Sequence, residues 1–343
     1  MGNTSHDLTG ELREITAALL DVERNLYTLH HEVRRLKDVY LKAAKDFRPL
    51  QENIGDGEIM TETGIAISPT MAAMCVDDNS RTIQFIRGAN TAIRERRDRE
   101  PGRPVRLLYV GCGPFAALVT PLLSIYSPSE LTVRLVDISK KSLDTARTVI
   151  GSLGLSESVT KFENADANDL DIADQERPDV ILLEILRATL KAEPQVAVSR
   201  TLMSRWPTSL LVPEQIDIRL TLVNVAREFA FDGAELKLDR IELGTVFTLS
   251  RDSIAAWIEC GDEQLPAATV KLPEYDENRY TPRLFTDISV FGEHRLSNRD
   301  SGLTIPKPLG RHGEFGPGDT VRFRYILGNE PHLSAEKVTS GLE

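Results

Sequence analysis

Two glutamates nine residues apart, Glu184 and Glu193, are the side chains best placed to do chemistry together in this chain. Glu184 directly follows the run Asp179-Val180-Ile181-Leu182-Leu183, so its carboxylate leaves an apolar stretch that should lie inside a sheet. An acid so poorly solvated has a raised pKa unless a cation or a donor meets it. Two carboxylates that converge on one pocket repel each other and are stable mainly around a shared cation or proton. A guanidinium suits that place, because its planar fork engages both acids bidentately. Glu193 also has a plainer reading, as an acid that opens a helix before Pro194 and is favoured by the helix dipole.

Upstream lies a second group of residues with a ligand-binding pattern. In Tyr109-Val110-Gly111-Cys112-Gly113-Pro114-Phe115 a strand empties into a turn whose glycines let the backbone approach a ligand closely. A dinucleotide site would place a third glycine at the opening of the helix, beside a pyrophosphate. Phe115 or Ala116, bulky and neutral, stands there instead and points to a ligand without phosphate. Asp137 ends the next strand, where a carboxylate can accept two hydrogen bonds from a ribose diol, or else cap the turn before Ser139. After a third strand, Asn164-Ala165-Asp166 offers a small residue and an acid where an adenine edge could be read, although Asx-rich segments also serve as plain turns.

The elements that must position these residues follow from periodicity. RLLYV, TVRLVDI, TKFENAD and DVILLEI are strands separated by helical patterns, which predicts an α/β fold with a mostly parallel sheet covered on both faces. Before it, Leu12, Ile15, Leu19, Val22, Leu26, Leu29, Val33, Leu36, Tyr40, Ala43, Phe47 and Leu50 form a heptad seam. That seam predicts one long helix, or two sharing a register, either packed on its own domain or holding a homodimer together. Residues 51–68 read as a loop that could cover a site, and a helix is expected from about Thr70 to Arg97. The basic run RERRDREPGRP that ends it reads as a solvated connector. After Val212-Pro213, period-two segments such as Ile216-Ile218-Leu220 and Val321-Phe323-Tyr325 predict an antiparallel β domain or barrel. The expected divisions are therefore 1–68, 69–212 and 213–343.

Composition narrows the function classes. The 343 residues carry a formal net charge of -11, which speaks against a nucleic-acid partner and suits a cationic one. Cys75, Cys112 and Cys260 are too dispersed for a disulfide framework, and no apolar run approaches a membrane span, so a cytoplasmic setting without membrane contact is expected. His294, His312 and His332 show no ligand spacing, and no metal is expected.

The order of glycine turn, strand-end acid and Asx segment resembles the class I S-adenosylmethionine-dependent methyltransferases over about Leu107 to Leu183. That resemblance implies S-adenosylmethionine as cofactor, held by Gly111, Cys112 and Gly113 in the turn and by Asp137, Ile138, Ala165 and Asp166 at the following strand ends. It narrows to the protein arginine N-methyltransferases through the spacing of Asp179, Glu184 and Glu193, through Met74, Asp78 and Arg81 upstream, and through the exit at Leu211-Val212-Pro213. It implies that Glu184 and Glu193 hold a substrate guanidinium and that Arg81 holds the cofactor's carboxylate. The family's YFxxY helix and Thr-His-Trp loop have no counterpart, and Ile185-Leu186-Arg187-Ala188-Thr189-Leu190 replaces its Trp-Met-Gly loop. These elements shape a groove for peptide arginine. The expected acceptor is therefore free L-arginine or a small arginine-like molecule, with Arg187 paired to a glutamate or binding a substrate carboxylate. The alternatives are another small amine or hydroxyl, a protein arginine, or a non-catalytic dimeric scaffold of the same fold.

Overall fold

The computed structural model describes residues 3–49, 53–228, 231–232, 235–236, 238–261, 263–311 and 313–338. Leu50 of the heptad seam and His312 lie outside them.

The seam forms two helices, α1 (Asn3–Leu20) and α2 (His30–Ala43). The break lies where Asx side chains offer the backbone an alternative to the helix: Asp21 Oδ1 accepts from the Glu23 amide and Asn25 Oδ1 from the Tyr27 amide. Val22, in the break, is 63% exposed. The C-terminal carbonyls of α1, which have no partner within a helix, are taken by Arg87, whose Nε donates to Leu19 O and Nη2 to Asp21 O, each at 2.6 Å. Leu12, Ile15, Leu19, Leu29, Val33, Leu36, Tyr40 and Ala43 are all buried within this one chain. Of the alternatives the seam allowed, the structure has two helices and not one, and their apolar stripe is buried within the chain's own domain.

The segment read as a loop contains a small hairpin, β1 (Ile59–Thr61) and β2 (Gly64–Ala66). The next expected helix is also divided, into α3 (Pro69–Met74) and α4 (Asn79–Arg99). Asp78 caps α4 by accepting from the Arg81 amide, and its other oxygen accepts from Ser301 Oγ and the Gly302 amide. This places Arg81 in the first turn of α4.

The central sheet comprises β3 (Val105–Val110), β4 (Leu131–Asp137), β5 (Val159–Asn164), β6 (Val180–Leu183) and β7 (Leu210–Val212), all parallel, in the order β5-β4-β3-β6-β7. β6 is fully buried, as its unbroken apolar run requires. The chain reverses direction across the sheet beside β3, so the crevice at the C-terminal ends of β3 and β6 is the place where such sheets bind ligands. The helical pattern between RLLYV and TVRLVDI yields only a single turn, α5 (Thr120–Leu123), and Ala116 before it adopts a positive φ of 45°. α6 (Lys140–Ser152) and α7 (Gln195–Arg205) complete the helical layers.

At the far end of β6, Asp179 accepts from both Arg103 terminal nitrogens and from the Arg106 amide, with Arg96 at 3.5 Å. Burial works the other way, yet these partners hold its carboxyl at about 2. Part of the basic connector is therefore structural and not simply solvated, and Asp179 anchors the strand that ends in Glu184.

The remaining strands are β8 (Gln215–Val223), β9 (Phe231–Asp232), β10 (Glu235–Leu236), β11 (Arg240–Ser250), β12 (Gln264–Lys271), β13 (Thr281–Phe291), β14 (His294–Leu296), β15 (Lys307–Pro308), β16 (Thr320–Ile326) and β17 (His332–Lys337). β9 and β10 pair only with each other, and the others make a sheet in the order β11-β8-β13-β14, with β15 on β13, and a separate sheet β12-β16-β17. The antiparallel expectation holds, but a closed barrel does not form among the described residues. The two sheets meet instead through the ring of Phe247 in β11 stacked on Tyr325 in β16 at 4.9 Å, with Trp257 stacked on Phe247 at 5.3 Å. α4 lies so close to β13 that a side chain at Gly88 would come within 2.5 Å of Val290.

Because Arg87 satisfies carbonyls at the break between α1 and α2, Arg87→Ala is expected to cost about 2 kcal/mol in urea unfolding. An unchanged midpoint would show that the break is held by its Asx turns alone.

Candidate active site

One cleft of about 1020 Å³, counting its open mouth, runs along the C-terminal ends of β3, β4 and β6. Arg81, Gly111, Cys112, Gly113, Asp137, Ile138, Ala165, Asp166, Glu184 and Glu193 all line it. Arg187 does not; it faces a neighbouring cavity.

The glycine turn is built by its backbone. Gly111 and Gly113 have φ of 67° and 63°, a region open to glycine, and a side chain at Gly111 would meet Ile185 at 2.2 Å. Asp137 closes the turn: Oδ2 accepts from the Gly113 amide and Oδ1 from the Ser139 amide, each at 2.8 Å. The capping reading of Asp137 is thus met at Ser139, and each oxygen keeps a second lone pair. Burial pushes its carboxyl up to about 6 against the pull of those two amides. Phe115 is buried, stacked on Tyr40 at 5.2 Å and edge-on to Phe47 at 5.8 Å, so the helical pair forms one wall behind the turn. Asn164 Nδ2 donates to the carbonyls of Asp137 and Ile138, joining the ends of β4 and β5. Asp166 caps the following turn by accepting from Asn168.

Glu184 is held from three sides. Arg81 Nη2 donates to its Oε2. Gln195, fully buried, accepts from the Ile185 amide at 3.2 Å and donates to the Leu183 carbonyl, bracketing the glutamate's backbone. Glu184 Oε1 is buried and has no hydrogen-bond partner among the described residues. Burial pushes this carboxyl up to about 7 against the attraction of Arg81, with repulsion from Glu193 adding to the rise. Burial also works to lower the Arg81 pKa, but Glu184 holds it above the usual guanidinium range. Since the Glu184 pKa is raised above its ordinary 4.5, the folded chain keeps a proton there that the unfolded chain has released. The stability this proton contributes is full below about 4.5 and is lost as pH rises through about 7.

Glu193, 6% exposed, accepts from Arg187 Nε at 3.0 Å, and burial raises its pKa as well. It is returned to the cleft by an unusual backbone path, in which Thr189, Leu190 and Ala192 have φ of 62°, 55° and 72°. Each such residue costs on the order of 1–3 kcal/mol and persists only when its surroundings impose it. Here they do: Thr286 Oγ1 accepts from the Thr189 amide, Tyr325 Oη donates to Leu190 O at 2.6 Å, and the Ala192 amide donates to Pro331 O at 2.7 Å. From the other side the Ile65 amide of β2 donates to Ala192 O, and a side chain at Gly64 would meet that oxygen at 2.6 Å.

Sequence reasoning did not single out Cys75, Ile185, Gln195 or the hairpin residues Thr61 and Ile65. All but Gln195 line the cleft, and Gln195 supports it. Hydrophobic period signals none of them, because their roles come from contacts across the fold.

Tyr325→Phe is expected to cost about 1–2 kcal/mol, because it strands the buried Leu190 carbonyl. It should also lower turnover more than overall stability would explain. Equal loss in both, read by urea unfolding and initial rates, would count against a role for that tether in the site.

The chain matches no family model, and no curated protein matches it. Among solved structures it is similar to one described as revealing a uniquely open conformation of Arabidopsis thaliana protein arginine methyltransferase 10. The likeness has 11% identity and a TM-score of 0.50, over 78% of this chain and 93% of that one. At that identity the likeness concerns the backbone, and what it establishes is the fold: a Rossmann-like parallel sheet joined to antiparallel sheets, as in that methyltransferase.

Proposed function

We propose that the protein is an S-adenosylmethionine-dependent N-methyltransferase whose acceptor is a guanidinium. The observation that carries this reading is the buried, unpartnered Oε1 of Glu184 on a cleft that also holds a glycine turn and Asp137. A buried carboxylate oxygen without a donor is costly, and a ligand N–H relieves it. The residues fit the cofactor: the turn admits close approach, Asp137 has lone pairs left for a ribose diol, and Phe115 brings no phosphate-binding chemistry. Ala165 and Asp166 would border the adenine, and Arg81, with N–H groups beyond the one on Glu184, would meet the cofactor's carboxylate. When bound, the cofactor supplies a methyl group on a sulfonium.

The chain's own residues do the rest. Arg81 and Gln195 fix Glu184 so that Oε1 can take one guanidinium N–H, and Glu193 takes another. The two carboxylates draw the positive charge toward the nitrogens they hold, leaving the remaining nitrogen richer in electrons for in-line attack. Methyl transfer would exchange the sulfonium's carbon–sulfur bond for a nitrogen–carbon bond, and that nitrogen would then have a proton to lose. Glu184, poised near neutrality, accepts it. Thr61, Ile65 and Ala66 of the hairpin β1–β2 line the cleft, and the Ile65 amide ties the hairpin to Ala192.

The expected acceptor is small and arginine-like. A protein-borne arginine is the second reading, favoured by the fold likeness to a protein arginine methyltransferase. Incubation with labelled cofactor and a panel of free arginine, other amines and arginine-rich peptides tests both; a label appearing only on non-guanidine acceptors would overturn the assignment.

Glu184→Gln should lower kcat/KM by about a hundredfold or more while sparing cofactor binding. In the wild type, kcat/KM should climb as pH rises through about 7, because the carboxylate form is the one that receives the cation. A flat profile between pH 5 and 9 would argue against Glu184 as the group that titrates. For Asp137→Ala, calorimetry should find cofactor affinity reduced about tenfold or more, and an unchanged Kd would remove Asp137 from the cofactor site.

A further inference from the structure

Behind the loop that carries Glu193 lies a second cavity of about 1760 Å³, counting its open mouth, between residues 187–192 and the antiparallel sheets. It is ample for an amino-acid-sized molecule. Its charges run against those of the chain, whose formal net charge is -11. Arg187, Lys191 and Lys307 line it together with His332, and Glu314 is the one acid. That acid is already engaged, since its Oε2 accepts from the Arg311 amide at 2.7 Å. Among the described residues no carboxylate pairs with Lys191 or Lys307.

The cavity and the cleft share a wall. Ala192 faces the cavity and Glu193 the cleft, and the ion pair between Glu193 and Arg187 spans the partition. Arg187 uses only Nε there, its side chain is 44% exposed, and it lines the cavity. Glu193 can receive a guanidinium only by sharing or releasing Arg187. A substrate that brings its own anion exchanges one pairing for two: its guanidinium takes Glu193 while its anion takes Arg187, and neither protein charge is left unmatched.

We propose that this second cavity binds the anionic end of the acceptor, and that the substrate is a guanidine carrying its own carboxylate, read by Arg187, Lys191 and Lys307. The proposal rests on the guanidinium reading of Glu184 and Glu193. A free guanidino acid and a peptide ending in arginine present the same chemistry.

The test compares L-arginine with its decarboxylated counterpart agmatine, and an arginine-terminated peptide with its C-terminal amide, using the full-length protein. kcat/KM should favour the free carboxylate about tenfold or more, the range that removal of a charged contact commonly produces. In the double variant Lys191→Ala/Lys307→Ala that ratio should fall toward one, mainly through KM. Preference for the short acid over the peptide acid identifies the free amino acid as the source, and the reverse identifies the chain terminus. Equal use of acid and amine by the wild type, a ratio untouched in the double variant, or preference for internal arginines of a basic peptide would each overturn the proposal. Calorimetry with L-arginine and agmatine in the presence of S-adenosylhomocysteine separates the two levels. If neither guanidine is methylated but the acid still binds more tightly, the anion site stands and the guanidinium chemistry falls; if the two bind alike, the anion site falls.

Discussion

The structure depends on a stretch of backbone that does not favour its own conformation. Between Glu184 and Glu193 the chain must leave a buried parallel strand, turn, and bring a second carboxylate back to the same cleft. It does so through three non-glycine residues in the left-handed region. Nothing in Thr189, Leu190 or Ala192 prefers that geometry. It is imposed by hydrogen bonds from β13, from β16, from the residue before β17 and from the β1–β2 hairpin. The antiparallel sheets are thereby coupled to the placement of Glu193, whatever else they contribute.

A second constraint is electrostatic. Two buried acids within mutual influence would be intolerable alone, and each is given an arginine: Arg81 for Glu184 and Arg187 for Glu193. The pairs differ in character. Arg81 is enclosed, its side chain 13% exposed, and belongs to the scaffold of the cleft, whereas Arg187 is 44% exposed and can rearrange at little cost. One glutamate is therefore firmly oriented and the other is exchangeable. Gln195 reinforces this difference by tying down the backbone on both sides of Glu184 only.

Much of the fold that positions these acids was legible in the sequence. The apolar run into Glu184 could only be an interior strand, and the turn at Gly111 and Gly113 could only follow one, so the parallel sheet and its ligand end were readable from residue type and period. The break between α1 and α2 was not. The heptad seam continues through it, and the residues that end the helix, Asp21 and Asn25, act through short-range side-chain bonds to which hydrophobic period is blind. The same holds at Asp78, which splits the next helix. The open arrangement of the antiparallel sheets was likewise hidden, because barrel closure depends on edge pairing and not on strand content. Arg187 was recognised as chemically interesting, but its place on the far side of the partition follows from the path of the loop.

The tethers on that loop have a consequence for how the protein comes into being. Ile65, Thr286, Tyr325 and Pro331 all act on residues 189–192, so groups near both ends of the chain must be in place before Glu193 is positioned. A chain emerging from the ribosome could assemble the sheet and the glycine turn early, from segments near one another in sequence. The second carboxylate would find its position only when β16 and the start of β17 had been made and docked. Formation of the glycine turn and placement of the second carboxylate are thus separated in the life of the molecule, the second arriving only with β16 and β17.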